Sequence, residues 1–120
     1  MWSVDIVPPQ VPAQWRASPL WSLIVADDMK VPLPDRQFDV LFIDTSHHYA
    51  HTLAELERYV PFVAEGGTVL LHDTQLEHVD YEPAAFPVSK AVTEFCRQTG
   101  REWTELGAQF GLGQITRPNG

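Results

Sequence analysis

Two aspartates and a crowd of histidines are the residues of this chain best equipped for chemistry. Asp44 ends the apolar run Phe38 to Ile43, and His72-Asp73 end the apolar run Thr68 to Leu71, so each carboxylate stands where a strand would stop. If those strands are neighbours, the carboxylates lie side by side, and such a pair repels unless something positive sits between them. Oxygen ligands in an acidic neighbourhood suit a hard divalent cation such as Mg²⁺, with His72 or Thr74 completing the protein's share. The same aspartates also suit the simpler task of capping the turn or helix that follows. His47, His48 and His51 crowd next to Asp44. Imidazole is the side chain best matched to taking a proton near neutral pH, so His47 and His48 are candidates for a general base. A zinc site would call for a spacing such as HExxH or CxxC, and neither occurs. His51 reads as a surface residue on the first turn of a helix.

The elements that must position these residues follow from pattern. Ser3 to Val7 is a short β-branched strand closed by Pro8-Pro9, and Trp21 to Ala26 is a continuous apolar strand, buried on both faces, ended by Asp27-Asp28. Phe38 to Ile43 has the apolar continuity of a central parallel strand. From Ala50 to about Val63, Leu53, Leu56, Tyr59, Val60 and Val63 recur at helical spacing, with Glu55, Glu57 and Arg58 on the other face. Pro61 disturbs the last turn of that helix, and Gly66-Gly67 stop the chain before the strand Thr68 to Leu71. Pro87 suits the first turn of a second helix that carries Val88, Ala91, Val92 and Phe95 inward and ends at Gly100. Arg101 to Leu106 and Leu112 to Thr116 are two further short strands. Strands alternating with helices imply an α/β fold with a mainly parallel sheet, and ligands of such sheets bind beyond the carboxyl ends of the strands. That rule selects Asp5, Asp27-Asp28, Asp44 and His72-Asp73.

Composition narrows the partners. The 120 residues carry 8 Lys+Arg against 16 Asp+Glu, a formal charge of -8, which disfavours nucleic acid and anionic membrane surfaces. No apolar run approaches the roughly 20 residues needed to span a bilayer. The single cysteine, Cys96, lies on an apolar-patterned helix and reads as an inert thiol; no disulfide and no secretory leader are visible, so a reduced, cytoplasmic setting is expected. Trp2, Trp15, Trp21 and Trp103 lack the basic interleaving of nucleic-acid stacking platforms and read as core or pocket walls. All 7 glycines lie at or beyond Gly66, so the first half of the chain holds no glycine-rich phosphate or dinucleotide loop.

The run Phe38 to Thr74, FDVLFIDTSHHYAHTLAELERYVPFVAEGGTVLLHDT, resembles the class I S-adenosylmethionine-dependent methyltransferases. The likeness is strongest to the branch that includes the cephalosporin hydroxylase-like and the macrolide or rhamnosyl O-methyltransferase proteins. In that branch a strand ends in an aspartate followed by a short loop with His and Tyr, matched by Asp44, His47 and Tyr49. A helix and a Gly-Gly turn then lead to a strand ending in an acidic pair or His-Asp, matched by His72-Asp73. The tail Leu106 to Pro118 resembles the antiparallel hairpin that ends this fold. Trp2 to Ile6 is similar to the strand whose acidic residue binds the cofactor ribose, here Asp5, and Ile24 to Asp28 to the strand whose aspartate contacts the adenine, here Asp27.

The resemblance therefore implies a Rossmann-like α/β sheet, mainly parallel with a C-terminal antiparallel hairpin, in a single partial domain spanning residues 1–120. It implies S-adenosylmethionine as cofactor, bound by Asp5, Asp27 and Asp44, and Mg²⁺ held by Asp44, Asp73, His72 and Thr74. The expected reaction is methyl transfer to a hydroxyl of a small molecule or sugar, with His47 or His48 as base. The family's first strand and Gly-rich loop have no counterpart in the sequence, so the domain is expected to be N-terminally incomplete and weakly active or inactive alone. Open sheet edges would then invite self-association or a complementing segment. Two further functions fit the same residues: a non-catalytic remnant that docks a protein partner through those edges, and a metal-dependent hydrolase using Asp44, Asp73 and the histidines.

Overall fold

The structure, a computed structural model, describes residues 2–5, 22–25, 27–32, 37–77, 83–107 and 109–116. The chain divides into two compact units, Met1–Leu33 and Pro34–Gly120. In the first, β1 (Trp2–Asp5) pairs in parallel with β2 (Ser22–Val25), with Trp2 opposite Ser22 and Asp5 opposite Val25. Both lie inside the segments expected as strands; residues 6, 7, 21 and 26 fall outside the described set, as do the side chains that would show whether β2 is buried on both faces. Beyond β2, Asp27 builds a turn: its Oδ1 accepts from Met29 N at 2.9 Å and its carbonyl from Lys30 N at 2.9 Å. An aspartate that hydrogen-bonds two residues onward is the usual chemistry of such turns.

The second unit runs β3 (Phe38–Ile43), α1 (Tyr49–Tyr59), β4 (Val63–His72), α2 (Pro87–Thr99), β5 (Glu102–Glu105) and β6 (Leu112–Thr116). Its four strands are ordered β3-β4-β6-β5. β3 and β4 are parallel, joined by the α1 crossover, whereas β6 is antiparallel to both of its neighbours. The expected C-terminal hairpin is therefore present. Both helices pack on the sheet face that carries Ile43, Val69, Leu71 and Ile115, and with Leu56, Val60, Val88, Val92, Phe95 and Cys96 these residues form the core. Leu56 and Leu71 are wholly buried, each contributing about 2 kcal/mol of transfer free energy.

Four expectations need correction. The α1 helix stops at Tyr59 rather than near Val63, because Pro61 cannot donate an intrahelical hydrogen bond; a single 3₁₀ turn, Val60–Phe62, follows it. Gly66-Gly67 do not precede β4 but lie within it, at an irregularity where Phe38 pairs with Val63 and Val40 with Thr68. Gly66 has φ +81, and a Cβ on Gly67 would come within 2.8 Å of the carbonyl oxygens of Ala64 and Asp39, so the bulge requires glycine. β3 is an edge strand of its four-stranded sheet, not a central one: Val40 and Phe42 are 58% and 54% exposed, because both helices of this unit cover the opposite face. Glu55, expected on the polar face of α1, is 1% exposed, its carboxylate accepting from Thr45 Oγ1 at 2.6 Å.

The second helix behaves as its punctuation dictates. Pro87 occupies its first turn, and Gly100, at φ +69, closes it. Burial pushes the Cys96 thiol up to about 11, in keeping with an inert cysteine. Trp103 packs against the core while its Nε1 donates to Thr93 Oγ1 at 3.1 Å. Among the described residues no helix is long and apolar enough to cross a membrane.

Candidate active site

The parallel register of β3 and β4 fixes the site. Ile43 is paired with Leu71, so the next residues of the two strands, Asp44 and His72, stand beside each other, with Asp73 one step beyond. The His72 Nδ1 is 3.8 Å from Asp44 Oδ1 and 2.9 Å from Asp73 Oδ2. His47 enters from the loop between β3 and α1. Its Nε2 lies 2.6 Å from Asp73 Oδ2 and 3.3 Å from Asp44 Oδ1, so the imidazole bridges both carboxylates. One donor atom from each of Asp44, His47 and Asp73 falls within 4.8 Å of the others.

This convergence is held against backbone preference. His47 and Asp73 adopt φ of 65° and 66°, a left-handed conformation costing each non-glycine residue on the order of 1 kcal/mol. The surrounding hydrogen bonds over-determine it. Thr45 donates to buried Glu55, Ser46 Oγ meets His51 Nδ1 at 2.6 Å, and Thr52 N donates to the His48 carbonyl at 2.9 Å. On the other side, Asp73 N donates to Gly111 O at 3.0 Å. The Asp73 side chain is 9% exposed and that of Asp44 44%, so the cluster is walled on the β4 side and open toward Asp44.

Of the residues expected to act together, Asp44, His47, His72 and Asp73 do converge. His48 instead occupies the position before α1 and serves it through its backbone. Thr74 turns the other way: wholly buried, it donates to Glu105 Oε2 at 2.5 Å. Asp5 is the last residue of β1, and Asp27 lies two residues beyond the end of β2 with its Oδ1 engaged by its own turn. His51, expected at the surface, is half-buried against Ser46.

Sequence reasoning missed two carboxylates. Glu55 shares its helical stripe with Thr52 and Leu56, both buried, and that shared face was the available signal. Glu105 gave none, since it is one of two glutamates in a short exposed strand. Burial acts to raise its carboxyl, but hydrogen bonds from Thr74, Leu112 N, Gln75 and Gly107 N outweigh it and hold the group below the usual glutamate range. A cavity of about 340 Å³ lined by Val60, Pro61, Gly67 and Arg101, among others, lies at the opposite end of β4 and contains none of the clustered residues.

Residues 3–74 match the family described as a methyltransferase domain. The chain belongs to this methyltransferase family. The match bears out the resemblance to class I S-adenosylmethionine-dependent methyltransferases at the level of the family, not of the narrower branch. Three solved structures share the Rossmann-like methyltransferase fold. A Staphylococcus aureus protein assigned as a caffeoyl-CoA O-methyltransferase is 18% identical with a TM-score of 0.65, over 88% of this chain and 56% of its own. A Corynebacterium glutamicum protein is 18% identical at 0.64, over 89% and 52%. A Podospora anserina methyltransferase with S-adenosylhomocysteine bound is 13% identical at 0.56, over 88% and 53%. The chain thus spans about half the length of these structures. No curated protein sequence matches it significantly.

Proposed function

We propose that the methyltransferase chain carries out S-adenosylmethionine-dependent O-methyl transfer to a hydroxyl of a small molecule or sugar, with a divalent cation at the Asp44 cluster. The observation that carries this reading is the meeting of Asp44, His47, His72 and Asp73 at the carboxyl ends of two parallel strands in a chain of this family. The likeness to a protein assigned as a caffeoyl-CoA O-methyltransferase supports an oxygen acceptor, and the S-adenosylhomocysteine in another neighbour supports the cofactor. By the resemblance, Asp5 and Asp27 are the candidates for the cofactor's ribose and adenine, and Asp44 is a candidate ligand both for the cofactor and for the cation.

The donor set fits a cation: two carboxylates converge, and the buried His72 Nδ1 has no aligned hydrogen-bond partner. A bound divalent ion, Mg²⁺ by family resemblance, would lower the pKa of the acceptor hydroxyl. Asp44 and Asp73 would hold it. Thr74 is left out of the set because its hydroxyl is committed to Glu105. His47 acts as the base. With Nε2–H donated to Asp44 and in close contact with Asp73, the basic lone pair of the ring is on Nδ1, and the two carboxylates orient the imidazole and stabilise its protonated form. S-adenosylmethionine, when bound, would supply the methyl group to the acceptor oxygen whose proton His47 takes. The left-handed backbone at His47 and Asp73 places both side chains before the substrate arrives, so little reorganisation remains for the chemical step.

The test is transfer of a labelled methyl group from S-adenosylmethionine to a panel of hydroxylated acceptors, alongside calorimetric titration of the cofactor. His47→Gln should lower the rate by roughly 100-fold or more, in the range for removal of a general base. Activity of the chain alone is expected to be weak, since no glycine precedes Gly66 to form the loop that holds the cofactor's methionine part. Tight binding by the isolated chain would overturn that expectation. Absence of binding both alone and with an added upstream strand and loop would overturn methyl transfer itself. Exposed Val40 and Phe42 on edge strand β3 favour one other reading, a non-catalytic chain that docks a protein partner or a second copy. Size-exclusion chromatography separates the two: concentration-dependent self-association without cofactor binding supports docking.

A further inference from the structure

The cation of this cluster is expected, by family resemblance, to be Mg²⁺, an ion that takes oxygen ligands. The donor atoms in place are not all oxygen. Nδ1 of His72 is enclosed within the protein and approaches Asp73 Oδ2 at 2.9 Å and Asp44 Oδ1 at 3.8 Å, yet neither contact has the direction of a hydrogen bond. A buried imidazole nitrogen in that condition is costly, because it has surrendered its water without gaining an aligned hydrogen bond. Its position is also not adjustable. His72 is the last residue of β4 and is paired on one side of the sheet with Leu112, while Asp73 is fixed in a left-handed conformation with its N–H on Gly111. One nitrogen and two carboxylate oxygens converging without a well-aligned hydrogen between them is how ligand atoms are disposed around a cation. His47 differs: its Nε2 is hydrogen-bonded to Asp44 and in close contact with Asp73, so its protonated nitrogen already has partners.

Resting on the cation site proposed above, we infer that His72 is a metal ligand through Nδ1, and that the cluster selects a borderline divalent transition ion over Mg²⁺. Imidazole suits such ions, whereas Mg²⁺ strongly favours oxygen and keeps its waters. An all-oxygen site also binds transition ions more tightly than Mg²⁺, so the diagnostic quantity is how far their preference depends on His72.

The experiment uses the full chain stripped of metal, without cofactor or acceptor. Binding of Co²⁺ and of Mg²⁺ is measured by calorimetry, and the visible absorption of the Co²⁺-loaded protein reports on nitrogen ligation. The wild type should bind Co²⁺ far more tightly than Mg²⁺, and His72→Asn should weaken Co²⁺ by roughly 10-fold or more while changing Mg²⁺ much less. His72→Asp, which restores a third carboxylate, should raise Mg²⁺ affinity and shift the Co²⁺ spectrum toward that of an oxygen site. Circular dichroism of each variant confirms that it folds. An unchanged Co²⁺ to Mg²⁺ ratio in both His72 variants overturns the inference. So does loss of the nitrogen signature in His47→Gln but not in His72→Asn. Asp73→Asn provides the separation from the parent reading: if it binds both ions as the wild type does, no cation site exists here, whereas if it loses both while the His72 variants keep the wild-type ratio, only the nitrogen ligand is refuted.

Discussion

Asp73 and Thr74 are neighbours in the chain, yet they serve polar clusters of opposite kinds. The Thr74 side is complete. Glu105 Oε2 accepts from Thr74 Oγ1 and Gln75 Nε2, its Oε1 accepts from Leu112 N at 2.8 Å and Gly107 N at 3.2 Å, and Gln75 N donates to Phe110 O at 2.7 Å. Every listener in that network has a speaker, and its effect is to fasten the β5–β6 hairpin to the end of β4. The Asp73 side is incomplete. Two carboxylates and two imidazoles crowd together, two of the four residues have left-handed backbones, and His72 Nδ1 lacks an aligned partner. A satisfied network stabilises a fold, whereas a buried polar atom without an aligned partner persists where something outside the chain completes the arrangement. The two regions share a backbone bond, so the rigid one anchors the reactive one.

The largest effect separating them should come from Asp73→Asn. Asparagine tolerates the left-handed backbone that Asp73 adopts at φ 66°, so the fold is expected to survive. Cation affinity should nonetheless fall by roughly 100-fold, about 3 kcal/mol, because a charged ligand is replaced by a neutral one. Calorimetric titration with a divalent ion, beside a urea unfolding curve, checks both halves. A variant that loses stability as severely as binding would place Asp73 with the fastening network.

The converse is Gly111→Ala, which strikes the fastening side. Gly111 has φ +96, and a Cβ there would lie 2.4 Å from Thr74 Oγ1 and 2.5 Å from Gln75 N. Backbone strain and overpacking together should cost about 3 kcal/mol of stability. The urea midpoint should fall substantially. If cation affinity stays within a few-fold under folding conditions, the two regions are separable. If it collapses in parallel, the anchoring role of the hairpin extends into the site, through the bond from Asp73 N to Gly111 O.

How much of this contrast could be read from the sequence depends on the range of the interaction. The convergence of Asp44 with His72-Asp73 was legible because a strand, a crossover helix and a strand commonly form parallel neighbours, so two strand ends meet. The helix boundaries at Pro87 and Gly100 were legible because backbone chemistry sets them locally. The Thr74–Glu105 bond was not, because its partners are 31 residues apart and a Glu in an exposed strand looks like any solvated charge. Gly66-Gly67 announced irregular backbone correctly, but whether two glycines end a strand or bulge it depends on the partner strand's carbonyl at Asp39. The apolar continuity of β3 suggested a central parallel strand, while the side chains Val40 and Phe42 point away from the face that both helices cover. His47 and His48 were both named as candidate bases from their type and their place beside Asp44; the bridging position of His47 came only with its positive φ.

A milder probe of the fastening side is Glu105→Gln, which keeps the shape and removes the charge. Charge-assisted hydrogen bonds from Thr74, Leu112 N and Gly107 N would become neutral ones, and solvent screening at this exposed residue limits the loss to about 1–2 kcal/mol. Cation binding should be unaffected, since Glu105 is not among the converging donors.

The smallest effect, and the one that isolates the charge from the shape, is the pH dependence of that same loss. The Glu105 carboxyl is held below the usual glutamate range, because hydrogen bonds to its ionised form outweigh the opposing effect of burial. A depressed carboxyl binds fewer protons in the folded chain than in the unfolded one throughout the interval between its two pKa values. Its stabilisation is therefore fully present above the ordinary glutamate value and drains away as pH falls through the lower, folded value. Glu105→Gln has no such group. The stability gap between wild type and Glu105→Gln should accordingly be constant through neutral pH and close progressively in the acid range, as followed by urea midpoints. A gap that stays the same down through that range would mean that the amide disturbs packing rather than charge, and the Thr74 network would then hold the hairpin by fit instead of by hydrogen bonds to an anion.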